Sequence, residues 1–244
     1  MAIYLVVGIA AGISNGIAGG GTFLTFPSML ALGVPALQAN VSSSVGVLPS
    51  YVGGMREFRS ALAPHWRLVR QLLPACVGGV IVGAGLLLLG SPTTFRAVVP
   101  WLIAAGTLLF AGGPWITQRI AHWGHHGTRR RALFIGIFFL SIYGGYFGAG
   151  LGILLLAVMG LTLTDDMAML QGLRSALSTV INATAALIFV IRGDLVPEAV
   201  SILLIGTLIG GALGASLISR LSPRTVRLLI VSIGAATAVR LWAS

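Results

Sequence analysis

Apolar residues return in long runs from one end of this chain to the other, interrupted only by glycine clusters and short polar stretches. A helix that crosses a bilayer needs roughly 17 to 25 predominantly apolar residues, and segments such as Leu72–Leu89 and Ala199–Ile218 meet that requirement. The pattern predicts ten helices. In the first half they are Ile3–Ala18, Thr22–Leu32, Leu37–Gly54, Leu68–Leu89 and Phe95–Gly112. In the second half they are Arg131–Tyr146, Leu151–Leu161, Met167–Ile191, Glu198–Ser219 and Thr225–Trp242. The second member of each set is too short to cross alone, because at about 1.5 Å per residue it spans about half of a ~30 Å hydrocarbon core.

The two sets repeat one design. GIAGGGTFLTFP (Gly16–Pro27) aligns with GYFGAGLGILLL (Gly145–Leu156), so that Gly16, Gly19, Gly21 and Leu24 face Gly145, Gly148, Gly150 and Ile153. NVSSSVGVLPS (Asn40–Ser50) aligns with GLRSALSTVINA (Gly172–Ala183), after which Arg59 falls on Arg192 and Pro64 on Pro197. PACVGGVIVGAG (Pro74–Gly85) aligns with LIGTLIGGALGAS (Leu204–Ser216). Ordered repetition of this kind divides the chain into an N-terminal transmembrane repeat (1–117), a basic linker (118–131) and a C-terminal transmembrane repeat (132–244). If each broken helix pair crosses once, the best orientation places ten Arg inside and four outside. If each pair turns back, the halves are inverted and eleven Arg fall inside, three outside, with Arg174 within a helix either way.

Composition narrows the class. Only 8% of residues are charged, against about 25% in soluble domains, and the mean hydropathy is +1.00. The chain is an all-α polytopic membrane protein with the lipid bilayer as its surroundings. The net charge of +10 comes with fifteen Arg and no Lys, placed at the ends of apolar segments. That distribution orients spans toward the cytoplasm and does not form a nucleic-acid face. Met1–Ile13 lacks a basic leader and a small-residue cleavage site, so it is expected to be the first helix. Cys76 is the only cysteine and excludes an intrachain disulfide. His122, His125 and His126 lie beside Arg129, Arg130 and Arg131 without a carboxylate, a poor setting for a metal cation, and no cofactor is expected. G-x-S-x-G, H-E-x-x-H and P-loop signatures are missing from the sequence, which argues against an enzyme.

Two groups of residues carry the expected chemistry. The first is the pair of glycine breaks, Gly19-Gly20-Gly21 and Gly148-Ala149-Gly150-Leu151-Gly152. Broken backbone inside a membrane is tolerated where it is packed in protein or lines a cavity, and the half-helix that follows presents N–H groups and a positive dipole end to an anion. Matched breaks in two repeats point to a carrier's central site, so Gly20, Gly21, Thr22, Gly150, Leu151 and Gly152 are expected to hold the substrate. The second group is polar: Asn40, Ser42 and Ser43 in one half, Arg174, Ser175 and Asn182 in the other. An Arg inside an apolar helix is costly and suggests function; its planar fork of donors suits an oxyanion. Gly79, Gly83, Gly206, Gly210 and Gly214 have the four-residue spacing of close helix packing instead. Asp165 and Asp166, just before a helix, are expected to cap it.

GIAGGGTFLTFPSMLALGVPALQANVSSSVGVLPSYVGG, YGGYFGAGLGILLLAVMGL and INATAALIFVIRGDL together resemble the TauE/SafE family of sulfite exporters, along nearly the whole chain. The resemblance implies export of a small sulfur-containing anion, such as sulfite, sulfoacetate or a related organosulfonate, across the bacterial cytoplasmic (inner) membrane. It also implies a bundle of two related halves, compatible with a homodimer. In the family a Lys-Asn pair stands where this chain has Arg174-Ser175, which keeps the charge and changes its polar neighbour. An anion channel and a non-transporting membrane subunit of a larger complex share the composition and stay open at this point.

Overall fold

The computed structural model describes residues 1–17, 19–51, 58–122, 129–163, 166–217 and 223–243. Among these there are ten principal helices: α1 (Ala2–Ile17), α2 (Thr22–Ala31), α3 (Ala36–Gly46), α4 (Trp66–Leu89), α5 (Pro92–His122), α6 (Arg130–Tyr146), α7 (Leu151–Thr162), α8 (Met167–Arg192), α9 (Pro197–Leu217) and α10 (Pro223–Ala243). A single helical turn, Arg59–Leu62, and a 3₁₀ turn, Ala63–His65, lead into α4. Three stretches, Arg59–Leu89, Pro92–Ile116 and Met167–Arg192, are long and apolar enough to cross a membrane by themselves. The sheath is apolar, with Leu86, Leu108, Phe139, Ile191 and Leu208 exposed, whereas Asn15, Asn40, Ser43, Arg174 and Thr207 are buried. A surface of aliphatic side chains around polar groups is what a lipid solvent selects, because the outside gains nothing from polarity.

Helix ends follow local chemistry. Asp166 caps α8 by accepting the Met169 N–H at 2.7 Å, as expected for it; Asp165 lies outside the described residues. Two boundaries differ from the sequence expectation. α3 breaks after Gly46 within the expected Leu37–Gly54 helix, since Pro49 has no N–H to donate and disfavours helical geometry at Leu48; helical residues resume at 49–51, and 52–54 lie outside the described residues. α5 continues past Gly112 to His122, so the first residues of the expected linker are helical. Its Pro100 and Pro114 sit within that helix; His125 and His126 lie outside the described residues.

Glycine at helix crossings decides which helices touch. A methyl group on Gly79 would meet Phe138 O and Ser141, one on Gly83 would meet Ile142 O, and one on Gly145 would meet Val80 O. Thus α4 and α6 run side by side in the same direction, backbone on backbone. Gly8 against Gly206 and Gly12 against Gly210 and Gly211 make the same contact between α1 and α9. Close approach of this kind supplies van der Waals contact where lipid leaves no hydrophobic drive for helix association. The other pairings also come in sets: α4 packs on α8 and α9 on α3; α1 on α2 and α6 on α7; α2 on α10 and α7 on α5.

The second broken pair is a hairpin. Leu163, just past α7, and Arg130, at the start of α6, line one cavity, and the Arg129 N–H donates to Thr162 O at 2.9 Å. Both ends therefore lie on the face that also carries Arg67. The first broken pair opens on the other face. α1 starts beside the first turns of α9. Those turns adjoin the start of α3 through a Gln38–Asp194 hydrogen bond and a 2.9 Å bond from the Val196 N–H to Ser42 Oγ. Gly33, at the end of α2, lies on that face with Arg96 and Leu241.

Candidate functional site

Each hairpin turns at a glycine in the left-handed region. Gly19 has φ +77° and Gly148 φ +75°, a geometry that costs any other residue about 1–2 kcal/mol. Both glycines also make the same helix-ending bond. The Gly19 N–H reaches Ser14 O at 3.3 Å and the Gly148 N–H reaches Tyr143 O at 3.1 Å, each five residues back. A side chain braces each tip. Asn15 Oδ1 accepts the Gly21 N–H at 2.6 Å while its Nδ2 donates to Ser50 Oγ at 2.7 Å. Tyr143 donates its hydroxyl to Ala149 O.

The two tips meet. A methyl group placed on Gly19 would lie 3.5 Å from Gly152 Cα, and one placed on Gly152 would lie 3.6 Å from Gly19 Cα. The Phe23 ring, from the first turn of α2, lies against Gly150 and Gly106, and stacks edge-on with Phe110 at 5.8 Å between centroids. Into this junction comes Arg174 of α8, only 5% exposed. Its Nη1 is 3.2 Å from the methyl position on Gly19 and 3.3 Å from that on Gly152, and its Cδ is 3.6 Å from the latter. Glycine at both positions is what lets a guanidinium approach the backbone so closely. The Tyr51 hydroxyl completes the group, within electrostatic reach of Arg174 and beside the Asn15 and Asn182 side chains.

The described elements bring positive charge to the junction. α2 and α7 both begin here, and a helix N-terminus carries roughly half a positive charge. Two such ends and a guanidinium converge in a buried volume. The described carboxylates that have assigned places are elsewhere: Asp166 caps α8, Asp194 binds Gln38, and Glu198 sits in the first turn of α9. The arrangement favours a small anion with several acceptor atoms.

Of the residues expected from the sequence, Arg174 and Gly152 belong to this junction, with Gly150 and buried Leu151 in the same tip, while Asn182 lies beside Tyr51 and donates its Nδ2 to Ser178 O at 2.9 Å. Gly21 is present with its N–H taken by Asn15. Gly20 turns toward the Phe110 ring and Ile230, and Thr22 is buried at the start of α2. Among the described residues neither the Thr22 nor the Gly152 N–H meets a hydrogen-bond acceptor, while their neighbours Leu24 and Ile153 bond back to Gly21 O and Gly150 O. Ser175 is buried one residue after Arg174. Asn40, Ser42 and Ser43 have other partners. Asn40 Nδ2 donates to Tyr146 O at 3.0 Å, Ser42 Oγ accepts from Val196, and Ser43 shares a hydrogen bond with Thr25. Three residues at the junction, Asn15, Ser50 and Tyr51, were not expected from the sequence. A lone Asn in the first apolar run was the available signal for one of them.

With this geometry established, similarity to known proteins can be stated. The family model described as sulfite exporter TauE/SafE matches residues 4–241. The chain belongs to the sulfite exporter TauE/SafE family. A "Probable membrane transporter protein" of Haemophilus influenzae is 25% identical over 240 residues, which cover 95% of this chain and 90% of the relative. A "Probable membrane transporter protein ORF9" of a Sinorhizobium species is 31% identical over 116 residues, 47% of this chain and 44% of the relative. No solved structure matches. The protein is therefore a membrane transporter by family, and the matched region contains both glycine tips and Arg174.

Proposed function

We propose that this protein is a secondary carrier that exports a small sulfur-containing anion, sulfite, sulfoacetate or a related organosulfonate, across the bacterial cytoplasmic membrane. The observation that carries the proposal is the meeting of two glycine-broken hairpin tips at the buried Arg174 guanidinium. In this account Arg174 supplies charge, the Thr22 and Gly152 N–H groups and the two helix ends complement the anion's oxygens, and Ser175 and Asn182 add donors. The matched helix pairings and the opposed hairpins support two inverted repeats, an arrangement suited to alternating access around a fixed site. Arg67, Arg70 and Arg130 then lie on the cytoplasmic face by the positive-inside rule. An interior-negative potential favours anion exit by about 2.3 kcal/mol per charge per 100 mV, so export requires no ATP hydrolysis and the protein is no enzyme. Asn40, Ser42 and Ser43 hold helices together in this account and take no part in binding.

The test is counterflow in liposomes containing the purified protein, with labelled sulfite or sulfoacetate outside and unlabelled anion inside. Saturable, trans-accelerated uptake is the expected result. Flux that rises without saturation would identify a channel. No flux, together with a stable partner on purification, would identify a subunit of a larger complex.

A further inference from the structure

The Arg-rich face holds a second feature that anion export through Arg174 does not require. A cavity of about 380 Å³ is lined there by Pro64, His65, Arg67, Gln71, Arg130 and Leu163. Its two arginines come from different halves of the chain, and the cavity lies against the base of the second hairpin, where Arg129 N–H binds Thr162 O. Arg130 is the first residue of α6, and Arg67 lies where the 3₁₀ turn Ala63–His65 runs into α4.

The start of α6 is assembled against ordinary preference. A helix N-terminus is stabilised by a side-chain cap and by acidic residues in the first turn, and is disfavoured by cations. α6 has no side-chain cap and no acidic residue in its first turn. Arg130 stands there instead, and Arg67 and His65 line the same cavity. Topology signalling requires cations on this face, but it does not require them to converge from two halves on one concave site. Among the described residues the charged lining is cationic; charges of one sign in a cavity with low-dielectric walls focus a positive potential, and an oxyanion between Arg67 and Arg130 would satisfy the guanidinium forks and the α6 dipole end together.

We infer that this cavity is a second anion site, binding a tetrahedral oxyanion, phosphate or sulfate in form, between Arg67 and Arg130. The group arrives either as a free ion or as the phosphate of an anionic phospholipid at the membrane surface. The site clamps the base of the α6–α7 hairpin to the start of α4, across the two halves. It stands apart from the Arg174 junction and does not rest on the identity of the transported anion.

Inorganic phosphate is titrated calorimetrically into delipidated protein in detergent, using wild type, Arg174→Ala and the double variant R67Q/R130Q. In parallel, phosphatidylglycerol and phosphatidylcholine retention is measured by native mass spectrometry after extraction from nanodiscs. Both substituted arginines are solvent-exposed, so the double variant is expected to fold, and its thermal unfolding in detergent is checked. Phosphate binding that persists in Arg174→Ala and weakens at least tenfold in R67Q/R130Q assigns the free ion. Selective retention of phosphatidylglycerol, lost in R67Q/R130Q without a phosphate isotherm, assigns the lipid headgroup. The inference is overturned if wild type takes up neither, or if folded R67Q/R130Q binds both as wild type does.

Discussion

Gly19→Ala and Gly152→Ala place the same methyl group against the same atom from opposite tips, and they separate the backbone from the site. The new carbon lies 3.2 Å from Arg174 Nη1 in one case and 3.3 Å in the other. Each contact is tight by a few tenths of an ångström, and the guanidinium, at the end of a flexible side chain, moves. Taking an effective dielectric near 20 and a charge separation of about 4 Å, the Arg174–anion attraction is about 4 kcal/mol, and moving the charge by ~0.4 Å removes about 0.4 kcal/mol, roughly a twofold loss of affinity. That loss is common to both variants. Stability is not. Gly19 has φ +77°, whereas Gly152 is not among the left-handed glycines, so only Gly19→Ala carries the backbone cost of about 1–2 kcal/mol. At roughly 2–4 °C per kcal/mol, Gly19→Ala should melt about 2–8 °C below wild type, with Gly152→Ala close to wild type. Thermal unfolding in detergent and calorimetric anion titration on the same samples provide both numbers. An affinity loss in Gly19→Ala alone would refute the shared contact, and equal melting points would refute the left-handed strain at Gly19.

Three further outcomes follow from particular bonds. Asn15→Ala leaves the buried Gly21 N–H and Ser50 hydroxyl without Asn15; it should destabilise the protein by about 1–3 kcal/mol and weaken anion binding, checked by the same pair of assays. Ser42→Ala removes only the acceptor for the Val196 N–H; it should lower stability by about 1 kcal/mol and leave the anion Kd unchanged, and a changed Kd would return Ser42 to the site. Gly83→Leu drives a side chain into Ile142 O on the neighbouring helix, where overpacking costs about 1–3 kcal/mol or more. Size-exclusion chromatography should show loss of the monodisperse species.

Much of this fold was legible because lipid makes sequence patterns severe. Glycine breaks in apolar runs have few uses in a membrane, and both Gly19 and Gly148 prove to be left-handed turns at hairpin tips. The four-residue glycine spacing correctly marked packing at Gly79, Gly83, Gly206 and Gly210. Arg174 stood out because a buried cation is expensive. Serine and asparagine were harder to place, since each can satisfy itself on a neighbouring backbone and carries no sign of which partner it takes. Ser42 and Ser43 thus looked like Ser175, yet their hydroxyls join helices. Tyr51 gave no signal, because its role depends on α3 breaking at Pro49 and on Asn15 arriving from α1, contacts 36 residues apart in the chain. Whether the broken pairs cross or return was undecided by the Arg count, and the Arg129–Thr162 bond shows that the second pair returns.

The central claim is that Arg174, at the meeting of the two tips, holds the transported anion. The direct measurement is calorimetric titration of sulfite, sulfoacetate, taurine and sulfate into purified wild-type protein and into Arg174→Ala, with folding of both verified by thermal unfolding. Losing a contact of about 4 kcal/mol corresponds to roughly 10³-fold in Kd. The account predicts saturable binding of at least one sulfur anion by wild type and its disappearance in Arg174→Ala. Wild-type affinity in folded Arg174→Ala would contradict it and move the anion elsewhere in the molecule.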